Sequence, residues 1–202
     1  VARRAAARHA LGLAHDVHTL LFVGSGFITK GLDRAIRALA TLQADHPGRK
    51  LRLLVAGQDR VGRFALQARR DQVQHQVIFL GGRDDIPDLM LAADVLVHPA
   101  RSEAAGIVLL EALVAGLPVV TTAACGYAHH IAAADGGLVL PEPFSQDALT
   151  GALIRALDKG FLQQCRTNGL AYAAREDLYS LHSAGADLVE QTIRLKQDLV
   201  HA

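Results

Sequence analysis

The chain has 202 residues, half of them apolar and a fifth charged, with a formal net charge of +1. Such a balance suits a globular domain with a sizeable core and gives no electrostatic argument for nucleic acid; with no Trp and 4% aromatic residues, a base-stacking surface is disfavoured too. Cys125 and Cys165 form no CxxC or zinc-ligand spacing, and isolated thiols suit a reducing cytoplasm.

No apolar run approaches the roughly 18 residues of a membrane span, and the first residues do not read as a signal peptide. The single methionine is Met90, so the chain is expected to be a piece of something longer. In chain order, short apolar runs at 19–25, 51–57, 76–82, 94–100, 118–123 and 137–141 predict strands. They lack polar alternation, as expected when both faces of a parallel sheet are covered. Between them, 31–45, 63–71, 85–93, 106–115 and 127–134 predict helices, giving a Rossmann-like, doubly wound α/β sheet. After "PEP" the strands stop. Helices are predicted at 146–158, with Ser145 as N-cap, at 160–175 and at 182–200. Residues 1–180 are expected to form one domain, and 181–202 a terminal helix packed on it or on a missing partner domain.

Ligands of open α/β sheets gather at the carboxyl ends of the strands. There the chain places "GSGFITKG" (24–31), "GQD" (57–59), "GGRDD" (81–85), "HPARSEAAG" (98–106) and "TAACGYAHH" (122–130). The first loop fails the dinucleotide fingerprint twice. Thr29 stands where the third glycine belongs, and Asp45 precedes the second strand, whereas a ribose-binding acid should follow it. Lys30 sits just before the first predicted helix of the sheet, where amides and the helix dipole favour an anion. It is either the cation of a phosphate site or a solvated lysine at a loop end.

The stretch 101–120, "RSEAAGIVLLEALVAGLPVV", reads as buried helix running into buried strand, yet holds Glu103 and Glu111. The two are eight positions apart, about 12 Å at helical rise, too far for the roughly 5–10 Å of a glycosidase pair. Metal binding has no Asp-x-Asp to support it. Amides near Ala104, Ala105, Gly106 and Ile107 are expected to face the crevice, with a carboxylate on either side that can accept from vicinal diols. The plainer alternative is one Glu favoured by the helix dipole and one paired with an arginine.

A Glu, seven residues and a second Glu, followed by "AGLPVVTT", resembles the donor-binding signature of retaining GT-B glycosyltransferases. "FVGSGFITKGLDRAI", "FLGGRDDIPDLMLAADVLVHPA", "EAAGIVLLEALVAGLPVVTTAACGYAHHI" and "PEPFSQDAL" extend the resemblance over about residues 11–180, towards the core glucosyltransferases of lipopolysaccharide assembly. That resemblance implies the nucleotide-sugar half of a two-domain enzyme moving glucose from UDP-glucose to an inner-core heptose. It implies that Glu111 holds the ribose hydroxyls and Glu103 the donor sugar. The Ala104–Ile107 amides would lie near sugar and diphosphate, with Gly24, Ser25 and Gly26 forming the first loop. Lys30 would neutralise the diphosphate and Arg83 stack beside the uracil. No metal or cofactor is implied beyond the UDP-sugar donor. No general base is implied either: the acceptor attacks from the leaving-group side and the diphosphate takes its proton.

Relatives carry an additional arginine near Lys30, where this chain has Ser25 and Thr29; Arg101 and Ser102 are candidates to compensate or to alter sugar choice, which leaves an amino or N-acetyl hexose open. His98 reads as a hydrogen-bonded structural histidine or a pocket residue, and either His129 or His130 as a neighbour of the sugar. The isolated chain is expected to bind UDP weakly and transfer nothing. The whole enzyme is expected at the cytoplasmic face of the inner membrane, peripherally attached, because its acceptor is a lipid. A UDP-sugar epimerase of the same shape and a non-catalytic sugar-nucleotide module are the alternatives.

Overall fold

The expected alternation of strand and helix runs through residues 2–178, the part of the chain described by the computed structural model. It proceeds through α1 (Ala2–Ala10), β1 (Val17–Val23), α2 (Leu32–Asp45), β2 (Lys50–Ala56), α3 (Gly62–Arg70), β3 (Val77–Gly81) and α4 (Ile86–Ala92). It continues with β4 (Val95–His98), α5 (Ile107–Val114), β5 (Val119–Thr122), α6 (Ala128–Ala133), β6 (Gly137–Leu140), α7 (Gln146–Ala156) and α8 (Lys159–Arg175). The helix predicted at 182–200 lies outside the described residues, as does the expected boundary at 180.

The strands form one six-stranded parallel sheet in the order β3-β2-β1-β4-β5-β6. Strand order reverses between β1 and β4, so the loops leaving these two strands flank the crevice in which doubly wound sheets hold ligands. Why the strands carry no polar alternation is plain from β1. Leu20 and Phe22 enter the core beneath α2, α3 and α7, and Leu21 enters the opposite core beneath α1, α4, α5, α6 and α8. In β4, Val95 and Val97 point to the first core and Leu96 to the second. Side chains alternate in direction, but both directions are dry.

The N-terminal helix was not among the predicted elements. Its sequence, ARRAAARHA, is rich in strong helix formers but lacks the large apolar residues that reveal a packed face. Arginines anchor it instead. Arg4 pairs with Asp94 at 2.6 Å, and buried Arg8 donates to the carbonyls of Ala92 at 2.9 Å and of Ala14 and Val17 at 2.6 Å. Two caps behave as elementary chemistry requires: Ser145 Oγ accepts from Ala148 N at 3.2 Å, and Asp158 Oδ1 from Phe161 N at 3.0 Å.

One glycine sets the position of the site. Gly31 caps α2 in the left-handed region at φ +78°, and a Cβ there would lie 2.1 Å from the Pro99 carbonyl oxygen. Only a residue without a side chain lets the loop after β1 rest on the chain leaving β4.

Candidate functional site

The loop after β1 is tied down on every side. Gly24 N donates to Ala56 O at 2.8 Å, and Gln58 N donates to Ser25 Oγ at 3.1 Å. Asp59 accepts from Phe27 N at 2.8 Å, and this amide together with that of Arg60 holds its carboxyl below the usual range. Arg101 N donates to Thr29 O at 2.7 Å, while its guanidinium grips the Asp33 carboxylate at 2.7 and 2.8 Å and the Ile28 carbonyl at 2.7 Å. Burial is the strongest single influence on the Asp33 carboxyl and tends to raise it, but the hydrogen bonds and charge of Arg101, with the Asp33 backbone amide and the Arg34 charge, together outweigh it and the pKa is lowered. Arg101 is therefore engaged within the fold rather than standing as a free cation. It is committed to bracing α2 and the first loop.

The outcome is a fixed place for Lys30. Its stem runs over Gly24, where a Cβ would come within 2.9 Å of Lys30 Cε. Its ammonium meets Glu103 Oε2 in a close ion pair, the two side chains being 22% and 18% exposed. Glu103 is itself pinned by its backbone. Residues 103 and 125 form an isolated parallel bridge, with Glu103 N to Ala124 O at 3.2 Å and Gly126 N to Glu103 O at 2.9 Å. Hydroxyls of β5 hold the segment between: Thr121 Oγ1 donates to His98 O at 3.0 Å and Thr122 Oγ1 to Ala100 O at 2.7 Å.

His98 departs from the expectation of a hydrogen-bonded structural histidine. It is wholly buried, stacks on Phe22 with ring centroids 6.2 Å apart, and neither ring nitrogen has a hydrogen-bond partner among the described residues. Its Nε2 lies 3.8 Å from Glu103 Oε2, an ionic approach longer than a hydrogen bond. Burial first, and the Lys30 charge second, push its pKa down to about 4. This contact was invisible in the sequence, where only the position of His98 at a strand end hinted at it.

Beyond Glu103 the chain turns through Ala104, Ala105 and Gly106 into α5. Gly106 is its N-cap at φ +84°. Ala105 O accepts from Tyr127 N at 2.8 Å, whereas the amides of Ala104, Ala105, Gly106 and Ile107 find no acceptor among the described residues. They are unsatisfied donors of the kind that bind anions at helix starts. The picture of a buried α5 needs correction at two points. Glu111 is exposed and makes no ion pair among the described residues, and Ile107 is 43% exposed. Leu109, Leu110, Ala112 and Leu113 fill the core, so the helix buries one side and opens the other.

That open side faces a groove of about 1460 Å³ between α1, α4, α5 and α8, bordered by Ile86, Pro87, Ile107, Glu111 and Tyr127. Arg83 stands just before this border. Its guanidinium is engaged by Asp85 at 2.7 and 2.5 Å, which raises its pKa and leaves the flat faces of the group available. The structure thus brings Lys30, Glu103, His98 and Gly24 together and places Glu111 in a separate stretch of the same edge. Ser25 and Gly26 sit in the first loop as expected, Gly26 with open space beside it.

The paired histidines divide. His129 is exposed and its Nδ1 lies 2.8 Å from Gly126 O, while His130 Nδ1 lies 2.7 Å from the Tyr172 hydroxyl on α8. His130 belongs to the packing of α6 on α8. Burial, with His129 beside it, lowers its pKa.

A parallel sheet with this strand order, carrying a lysine, two carboxylates and unsatisfied helix-start amides at its carboxyl edge, has the form of one domain of a GT-B glycosyltransferase. The chain belongs to the family of glycosyl transferases group 1, whose profile matches residues 3–175. Among its relatives is the lipopolysaccharide glucosyltransferase WaaG of Escherichia coli K12, 49% identical over 179 residues, 88% of this chain and 48% of that protein. A crystal structure of WaaG, a glycosyltransferase involved in lipopolysaccharide biosynthesis, superposes with a TM-score of 0.88 at 46% identity, covering 92% of this chain and 50% of that one. The Anabaena protein HepE, solved in complex with UDP-glucose, gives a TM-score of 0.77 at 25% identity, with 94% and 53% covered. The chain spans about half the length of the relatives it matches.

Proposed function

We propose that this chain is the donor-binding half of a retaining hexosyltransferase that takes glucose from UDP-glucose and delivers it to a heptose of the lipopolysaccharide inner core. The observation that carries the reading is the corner where Lys30 meets Glu103 beside the free amides of Ala104–Ile107. The 49% identity to WaaG supports the glucose donor and the lipid-linked acceptor, and the HepE complex supports UDP-glucose as the ligand class.

In this reading the diphosphate draws the Lys30 ammonium and the amides at the start of α5. Negative charge grows on the leaving UDP, and the Lys30 ammonium and the amides gathered in the crevice stabilise it. Glu103 accepts from hydroxyls of the sugar, Glu111 from the ribose diol, and Arg83 stacks beside the uracil. The acceptor attacks on the face from which UDP leaves, so configuration is retained and the leaving phosphate takes the acceptor proton. The acceptor site belongs to the other half of the longer enzyme, and the isolated chain binds donor without transferring it. The whole enzyme works at the inner face of the cytoplasmic membrane, held there by its lipid acceptor; no helix of the described residues is long and apolar enough to cross a bilayer.

Titration of the chain with UDP and with NAD, followed by two-dimensional NMR, tests the reading. Saturable UDP shifts lost in Glu111→Ala are expected. Binding of NAD in preference to UDP, or UDP binding indifferent to Glu111, would overturn the donor-site assignment.

A further inference from the structure

His98 has no part in the transfer just described, yet its setting is unusual. A buried ring N–H without an acceptor is costly, and both nitrogens of this wholly buried ring lack a partner among the described residues. Phe22 lies against the face of the ring, and the Thr121 hydroxyl holds the backbone carbonyl of the same residue. The charged groups it faces are Lys30 and Glu103. Its Nε2 approaches the same carboxylate oxygen, Glu103 Oε2, that Lys30 occupies.

A diphosphate, with its greater negative charge, competes with Glu103 for the Lys30 ammonium. When a donor draws the ammonium away, Oε2 loses its cation while remaining next to a buried imidazole. We propose that His98 is a positioning residue to which Glu103 is handed over. As Lys30 turns to the diphosphate, Nε2–H of His98 takes Oε2 and keeps the carboxylate aimed at the sugar, leaving Oε1 for its hydroxyls. The inference rests on the donor-site reading above. The present 3.8 Å separation has to close by about 1 Å to make a charge-assisted hydrogen bond. A neutral imidazole suits the task because it brings one N–H without a second cation to compete with Lys30 for the phosphates. Burial and the neighbouring ammonium keep it neutral at physiological pH.

The first test needs no ligand. Long-range proton–nitrogen correlation spectra of histidine-labelled protein give the tautomer of each ring, and the His98 signals are assigned from their loss in His98→Phe. In Lys30→Met, which removes the competing ammonium, the Nε2–H resonance of His98 is expected to move downfield of its wild-type position. A proton on Nδ1, or an unmoved Nε2–H resonance, overturns the proposal. The second test separates sugar from nucleotide. His98→Phe keeps a ring against Phe22 and removes the donor, so UDP-glucose affinity is expected to fall about tenfold with UDP affinity unchanged, and His98→Gln to restore most of the loss. Equal losses for both ligands, or no loss for UDP-glucose, contradict the handover. Should UDP fail to bind the wild-type chain, the donor-site reading falls by itself, while the ligand-free spectra still show whether His98 takes Glu103 Oε2 once Lys30 is removed.

Discussion

The two glutamates on either side of the α5 N-terminus live in opposite surroundings. Glu103 is part-buried, paired with Lys30, bridged through its backbone to residue 125, and backed by a histidine that water does not reach. Glu111 stands exposed above an open groove with no ionic partner among the described residues. In the donor-site reading proposed above, the difference teaches what each end of a sugar nucleotide asks of a protein. A leaving diphosphate asks for charged groups already gathered at one corner, whereas a ribose diol needs only an acceptor that it can reach.

That contrast can be broken first at its rigid end. Lys30→Ala in the full-length enzyme is expected to lower turnover roughly 100-fold, about 3 kcal/mol, as for loss of one oxyanion donor. Steady-state kinetics at saturating donor would show it, and unchanged turnover would remove Lys30 from the reaction.

Of similar size is a pH effect confined to the same corner. His98 titrates at about 4 in the folded protein against about 6.5 when unfolded, so the unfolded chain binds the extra proton first as pH falls. The contribution of its neutral form is intact above pH 6.5 and declines towards pH 4, by about 3 kcal/mol in all. Urea unfolding at several pH values is expected to show a shallower decline for His98→Phe than for the wild type. Parallel curves would mean that the ring is not held neutral.

The open end should respond more gently. Glu111→Ala is expected to cost about 2 kcal/mol of UDP affinity, near 30-fold, for lost hydrogen bonds to a charged acceptor. Stability should scarcely change, because an exposed side chain with no ion pair supports no packing. Smallest is Arg83→Ala, which removes one stacking face and is expected to weaken UDP about threefold. If Arg83→Ala outweighed Lys30→Ala, the contrast between the two ends would have to be reversed.

Much of this site was legible in the residues. Lys30 and Glu103 could be placed at a crevice because apolar runs mark the strands, and loops at their carboxyl ends are where charged residues then concentrate. Arg101 was misread for an equally physical reason. A guanidinium two residues before Glu103 looks available until the fold shows Asp33, 68 positions away, already holding it. The exposed face of Glu111 was hidden by a helix sequence apolar on nearly all sides. The N-terminal helix escaped notice because arginine-to-carbonyl bonds, rather than a stripe of large apolar residues, attach it.

The sequence by itself determined the alternation of strands and helices from β1 onward, the parallel sheet with two dry faces, and the residue types available at its edge. These follow from local periodicity and from the requirement that apolar side chains leave water. Only the tertiary structure decided that Lys30 and Glu103 share one contact, that His98 lies beneath them without a hydrogen-bond partner among the described residues, and that Glu111 faces a groove. Such pairings join segments about 70 positions apart. They depend on how neighbouring strands align and how closely backbones approach at Gly31 and Pro99, which no local pattern encodes.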